Sequence, residues 1–186
     1  LRCKFMRFLF DPPLTVLRVG LFNTFILIIM LPNFQVLSGA PWRILPPGEH
    51  LATLQEVKQT LAFNPHRLNL FNGLVNAANL LARSGCKYLY LDGSYVTEKD
   101  MPGDFDACWS IEQVDFNIVD PIFLDLSNGT TAQKARFGGE LFPNCTERAS
   151  GKLFKDFFKN EKHANQEKGI IVIDLQAEFS LMNQGV

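Results

Sequence analysis

The chain has 186 residues and a mass of 21.0 kDa, with 47% hydrophobic and 20% charged residues; this is the balance of one globular domain and excludes both disorder and two full-sized domains. A formal net charge of −1 and a sequence pI near 6.3 exclude a global basic field of the kind that recruits nucleic acid. Cys3, Cys86, Cys108 and Cys145 form no Cys-x-x-Cys pair and no histidine stands at zinc-finger spacing, which argues against a metal-thiolate site or a disulfide framework and predicts reduced thiols in the cytoplasm.

Charge is unevenly spread: residues 1–49 carry five basic and two acidic side chains, and residues 50–186 carry thirteen and seventeen. Val19–Pro32 reads VGLFNTFILIIMLP, an apolar run behind Arg2, Lys4, Arg7 and Arg18 and ahead of Ser38, Gly39 and Ala40, the outline of a signal peptide or anchor. The run falls short of the roughly 20 residues that span a bilayer. Asn23 interrupts it, and Pro41 stands directly after the small residues. Three readings compete: a mis-set start or translated upstream sequence, a secretory or anchoring signal, and an N-terminal helix. The expectation is a hydrophobic extension over residues 1–44, a domain over 45–186 and a cytoplasmic protein with no membrane partner. Anchoring or export is the alternative if residues 19–32 are a genuine signal.

Leu45-Pro46-Pro47-Gly48-Glu49-His50 predicts a loop, and Thr53-Leu54-Gln55-Glu56 matches a capping box opening a short helix that ends near Ala62. After the break at Asn64 and Pro65, Leu70, Phe71, Leu74, Val75, Ala78 and Leu81 recur at three-and-four spacing up to Gly85, an amphipathic helix with a glycine cap. Lys87–Leu91 predicts a short strand entering Asp92-Gly93-Ser94. Beyond Met101-Pro102-Gly103, Asp104–Trp109 predicts the second strand of a hairpin-like pair. Past Ile122–Leu124 and the turn Ser127-Asn128-Gly129, a helix is expected over Thr130–Phe137, closed by Gly138-Gly139, and then a strand at Glu140–Phe142. Leu153–Phe158 predicts a helix with aromatic anchors, Glu161–Lys168 a solvated loop and Ile170–Ile173 a buried strand. Trp109, Phe123, Phe154, Phe157 and Phe158 are expected in the core. This order predicts an α+β or α/β sandwich.

Asp104 and Asp106 are one residue apart on a predicted strand, so the period of two puts both carboxylates on one face and Phe105 on the other. Two carboxylates so placed can share divalent cations such as Mg²⁺, which take oxygen ligands and complete their shells with substrate phosphates and water. In a two-metal site the ions lie about 4 Å apart and hold the attacking and leaving oxygens of a phosphoryl displacement. Surface loops also produce Asp-x-Asp by chance, as a solvated turn or a pair of caps. Gly93-Ser94, separated from Asp104 by nine residues, adds a backbone free to approach phosphate oxygens and a hydroxyl donor; the plain alternatives are a tight turn and a helix cap. His50, His66 and His163 show no metal spacing. Ser94 lies outside a Gly-x-Ser-x-Gly elbow, which argues against serine-nucleophile chemistry.

A Gly-Ser turn after a strand, a short spacer and Asp-x-Asp on the next strand resemble the nucleotidyltransferase fold of the DNA polymerase β superfamily, over residues 66–142. The strings LPPGEH, GSYVTEKDMPGDFD, KARFGGELFP and KGIIVIDL together resemble small bacterial nucleotidyltransferase-like proteins, over residues 45–175. The resemblance implies an α+β fold with a mixed β-sheet packed against helices. It also implies that Gly93 and Ser94 hold a nucleoside triphosphate (NTP), while Asp104, Asp106 and a third acid from a neighbouring strand bind two Mg²⁺. Glu140 fits the third acid best, because it opens a strand after a helix in the family's order, although aspartate is more usual there; Asp174 and Asp125 are the alternatives. Lys99, Lys134 and Arg136 are candidate cations for the triphosphate or, more plainly, surface charges.

The expected activity is Mg²⁺-dependent transfer of a nucleoside monophosphate from NTP to an unidentified hydroxyl acceptor, with a partner protein as one candidate acceptor. The alternative is a catalytically inactive module of the same fold that acts through nucleotide or protein contacts. Family analogy suggests an antitoxin beside its toxin as one such partnership.

Overall fold

The computed structural model describes residues 31–161, 163–164 and 166–182, so the apolar run up to Met30 lies outside the described residues. Local chemistry sets the first helices. The Thr53 hydroxyl accepts from the Glu56 N–H at 3.1 Å and the Glu56 carboxylate accepts from the Thr53 N–H at 2.7 Å, closing the capping box that opens α1 (Leu54–Leu61). Asn64 Oδ1 accepts from the Arg67 N–H at 2.8 Å with Pro65 in the first helical position, which starts α2 (Pro65–Arg83). Leu70, Phe71, Leu74, Ala77, Ala78 and Leu81 form the buried stripe of α2.

The remaining elements are β1 (Gly48–Leu51), β2 (Tyr88–Asp92), β3 (Phe105–Trp109), α3 (Thr131–Phe137), β4 (Gly139–Pro143), α4 (Phe154–Phe158), β5 (Asn160–Glu161), β6 (Gln166–Glu167), β7 (Gly169–Asp174) and α5 (Leu175–Met182). Five strands form one mixed sheet in the order β1-β7-β2-β3-β4, and the fold is α+β. The central strand β2 runs antiparallel to both neighbours, whereas β1 with β7 and β3 with β4 are parallel pairs.

The two faces of this sheet differ in use. Leu89, Leu91, Phe105, Ala107, Trp109, Leu141, Ile171 and Ile173 are fully buried in the main core, with Val57, Leu61, Leu74 and Leu81 of α1 and α2. Each large apolar side chain so buried contributes about 1.5–3 kcal/mol. The alternate residues Tyr90, Cys108, Ile170 and Val172 point the other way, into a smaller cluster completed by Phe142, Phe154 and Phe158. The carboxylates described below stand on this second face.

Several expectations need correction. Residues 45–50 are not wholly loop: Gly48–Leu51 pairs in parallel with β7, and as a largely exposed edge strand it carries no hydrophobic alternation that could announce it. The stretch 161–168 contains the β5–β6 pair. Glu161 within it is buried, its carboxylate accepting from the N–H groups of His163 at 2.7 Å and Ala164 at 2.5 Å. Phe157 is 38% exposed rather than core. The core also reaches ahead of Leu45, since Phe34 and Ile44 are buried and Ile44 bridges both Gln35 and Thr97. Cys86 and Cys108 are buried free thiols, and burial pushes Cys86 up to about 11. Among the described residues, no helix is long and apolar enough to cross a membrane.

Candidate functional site

β2 delivers the chain to Gly93, which turns it with a φ of +79°. A Cβ at Gly93 would lie 2.0 Å from Asp106 Oδ2. The turn thus lays its backbone on the Asp106 carboxylate, and both the dihedral and the approach require glycine. Half-buried Ser94 follows, its carbonyl accepting from the Thr97 hydroxyl at 2.7 Å.

The spacer between this turn and β3 is stitched to the helices. Buried Arg67 donates to the carbonyls of Leu61, Tyr95 and Lys99, with its guanidinium 4.5 Å from the Phe63 ring centre and 4.6 Å from that of Tyr95. Asn64 Nδ2 donates to the Asp100 carbonyl at 2.9 Å, and His66 Nε2 donates to the Pro102 carbonyl at 2.6 Å. A nine-residue excursion thereby leaves from, and returns to, fixed points.

Register gathers the acids. Asp106 on β3 is paired with Asp92 on β2 and with Glu140 on β4, and register partners share a face. Three carboxylates therefore line up across three strands, beside the turn at Gly93. Asp104, the residue before β3, joins them through Lys134 on α3. The Lys134 Nζ lies 3.0 Å from Asp104 Oδ2 and 2.9 Å from Glu140 Oε1. Thr130 donates its hydroxyl to Glu140 Oε1 at 2.8 Å. It is buried, and its φ of +58° is uncommon for a β-branched residue. Such backbone strain costs about 1–3 kcal/mol.

Burial alone would raise the Glu140 carboxyl. The Lys134 ammonium, the Thr130 hydroxyl and contact with Asp106 outweigh it and hold Glu140 below the usual glutamate range. Hydrogen bonds to Glu140 and Asp104 raise Lys134 well above an ordinary lysine.

Of the residues singled out from sequence, Gly93, Asp104, Asp106, Lys134 and Glu140 come together, with Ser94 next to Gly93. Others do not join them. Arg136 pairs with Asp120 at 2.8 Å and lines a shallow recess with Asn76, Asn79 and Arg83, because two residues along a helix turn a side chain to the opposite side from Lys134. Asp125 accepts from the Ser127 N–H at 3.0 Å, and Asp174, opposite Tyr88 at the far end of β2, accepts from the Ala177 N–H at 3.0 Å at the start of α5. Lys99 lies over the Trp42 ring.

Sequence reading missed Asp92, Lys168, Thr130 and Arg67. Asp92 stands directly before the Gly-Ser pair, and Lys168 opens the KGIIVIDL string; nothing local marks Thr130 or Arg67. Lys168 Nζ forms a shielded ion pair with Asp92 Oδ1, their side chains 11% and 7% exposed.

Every acidic donor here is oxygen, and an ammonium already sits between two of them. Among the described residues, no group of three or more His, Cys, Asp or Glu forms a metal cage unaided. Carboxylate oxygens are the donor type that hard cations such as Mg²⁺ take. No curated protein and no solved structure matches the chain. A family model does match, over residues 40–174, a span that contains every residue of the cluster; the chain belongs to that family, described as a family of unknown function (DUF6932).

Proposed function

We propose that this chain is a Mg²⁺-dependent nucleotidyltransferase that moves a nucleoside monophosphate from NTP to a hydroxyl acceptor. One observation carries the reading: Asp106 stands in register with Glu140 on the adjacent strand, linked to Asp104 through Lys134, directly beside the Gly93-Ser94 turn. The sequence order of turn, carboxylate pair and third acid, which resembles the polymerase β type of nucleotidyltransferase, supports it.

In this reading Asp104 and Asp106 hold the metal ions and Glu140 completes the set. Bound Mg²⁺ supplies charge neutralisation at the attacking and leaving oxygens. The Gly93 backbone and the Ser94 hydroxyl orient the triphosphate, and Lys134 exchanges its carboxylate partners for phosphate oxygens. The acceptor oxygen bonds to the α-phosphorus, the bond to the bridging oxygen breaks, pyrophosphate leaves, and Glu140, released from Lys134 once that ammonium has moved to phosphate, takes the acceptor proton. Most of the rate gain comes from positioning and electrostatics.

A second reading, an inactive module that binds nucleotide or protein, is favoured by the Lys134 ammonium occupying a cation position between Asp104 and Glu140. Titration of the full chain with ATP, GTP, CTP and UTP, with and without Mg²⁺, tests the proposal. Enzyme function predicts Mg²⁺-dependent binding that Asp104→Asn/Asp106→Asn abolishes. Metal-independent binding that survives both substitutions supports the module instead, and no binding by a folded chain overturns the nucleotide site.

A further inference from the structure

The shielded Lys168–Asp92 pair has no part in the site as proposed above. Removing an ammonium and a carboxylate from water is costly, and two packed apolar residues would hold the same strands at no greater cost. Its place in the sheet is informative. β2 and β7 are antiparallel with Leu91 opposite Ile171, and the ion pair brings the Lys168 ammonium to Asp92, directly before the Gly93-Ser94 turn. Asp92 is the register partner of Asp106, so the pair closes the β7 end of the carboxylate row just as Lys134 closes the β4 end.

An ammonium has three N–H donors. One goes to Asp92, and among the described residues no other acceptor takes the remaining two. Asp92 fixes the position of the cation.

We propose that Lys168 is a phosphate-binding residue for the polyphosphate end of the nucleotide, acting beside Ser94, and that Asp92 is the positioning residue that holds it there. The inference rests on the nucleotidyltransferase reading and extends it to residues that the Gly-Ser and Asp-x-Asp motifs do not contain. Lys134 must leave its two carboxylates to meet phosphate, whereas Lys168 keeps its Asp92 partner.

The test measures Mg²⁺–NTP affinity and thermal midpoint for the full chain as wild type, Lys168→Gln, Asp92→Asn/Lys168→Gln and Asp104→Asn/Asp106→Asn. The double substitution at 92 and 168 replaces a charged pair with a neutral hydrogen-bonded one, which separates folding from binding. Loss of one charge-assisted contact weakens binding by about tenfold or more, and the expected result is that loss in both Lys168 variants, with stability restored in the 92/168 double. Wild-type affinity in the folded 92/168 double overturns the inference alone, provided the 104/106 double still abolishes binding. Absence of binding in wild type overturns both the inference and the reading beneath it. A second measurement uses only the wild-type fold: an acyl-phosphate nucleotide, which transfers its acyl group to an amine beside the terminal phosphate, should modify Lys168, and excess Mg²⁺–NTP should suppress that. Modification confined to other lysines overturns the proposal.

Discussion

The Asp106 carboxylate owes its surroundings to the absence of a methyl group. With a φ of +79° and no room for a Cβ, Gly93→Ala should destabilise the fold by about 2 kcal/mol or more and push Asp106 out of line, a loss read by urea unfolding. Unchanged stability would mean that the turn relaxes freely. Glu140 offers a pH test. Its folded-state carboxyl titrates below the usual range, so its contribution is present above the ordinary glutamate value and is lost as pH falls through the lower folded one. Glu140→Gln should therefore unfold at lower urea than wild type at neutral pH and show a shallower loss on acidification. Parallel pH profiles would refute the coupling to Lys134 and Thr130.

Among the elements, the spacer between the turn and β3 is the one whose order the site depends on, and buried Arg67 holds it by three carbonyls. Arg67→Met leaves these acceptors without their donors and should cost about 3 kcal/mol or more by urea unfolding, with weaker nucleotide binding in whatever remains folded. A loss below 1 kcal/mol would show that Asn64 and His66 suffice. α1 and α2 were legible in the sequence because their signals are local: the Thr53–Glu56 box, the Asn64-Pro65 start and the apolar stripe of α2. β2, β3 and β7 were legible from short β-rich runs. β1 was not, because an exposed edge strand takes its definition from its partner rather than from its own side chains. The β5–β6 pair is too short to show a period, and α5 begins directly after β7 with no turn residue between them. Arg67 illustrates the same limit, since a lone arginine on an amphipathic helix reads as solvated until tertiary structure supplies its acceptors.

At the scale of the whole molecule, one sheet serves two purposes, with the main core on one face and the acids on the other. The core recruits residues ahead of Leu45, so Ile44→Ala in the full chain should cost about 2–4 kcal/mol by urea unfolding; a loss below 0.5 kcal/mol would place Ile44 outside the cooperative unit. Gly93, Asp104 and Asp106 were readable because they stand near one another in the chain and stay together in the fold, whereas Glu140 was named through the family resemblance and reaches the row by the parallel pairing of β4 with β3. Asp92 and Lys168 were not, because only strand order brings a residue near position 168 to the end of β2. Arg136 shows the converse, in that proximity to Lys134 in sequence did not carry it to the same side of α3.

The most direct test is a crystal structure of the full chain with MgCl₂ and a non-hydrolysable form of whichever NTP it binds. The nucleotidyltransferase reading requires metal density at Asp104 and Asp106, the triphosphate along the Gly93-Ser94 turn, and Lys134 moved from its carboxylates onto phosphate oxygen. Nucleotide bound away from this edge of the sheet, or Lys134 still clasped by Asp104 and Glu140 at saturating ligand, would contradict it.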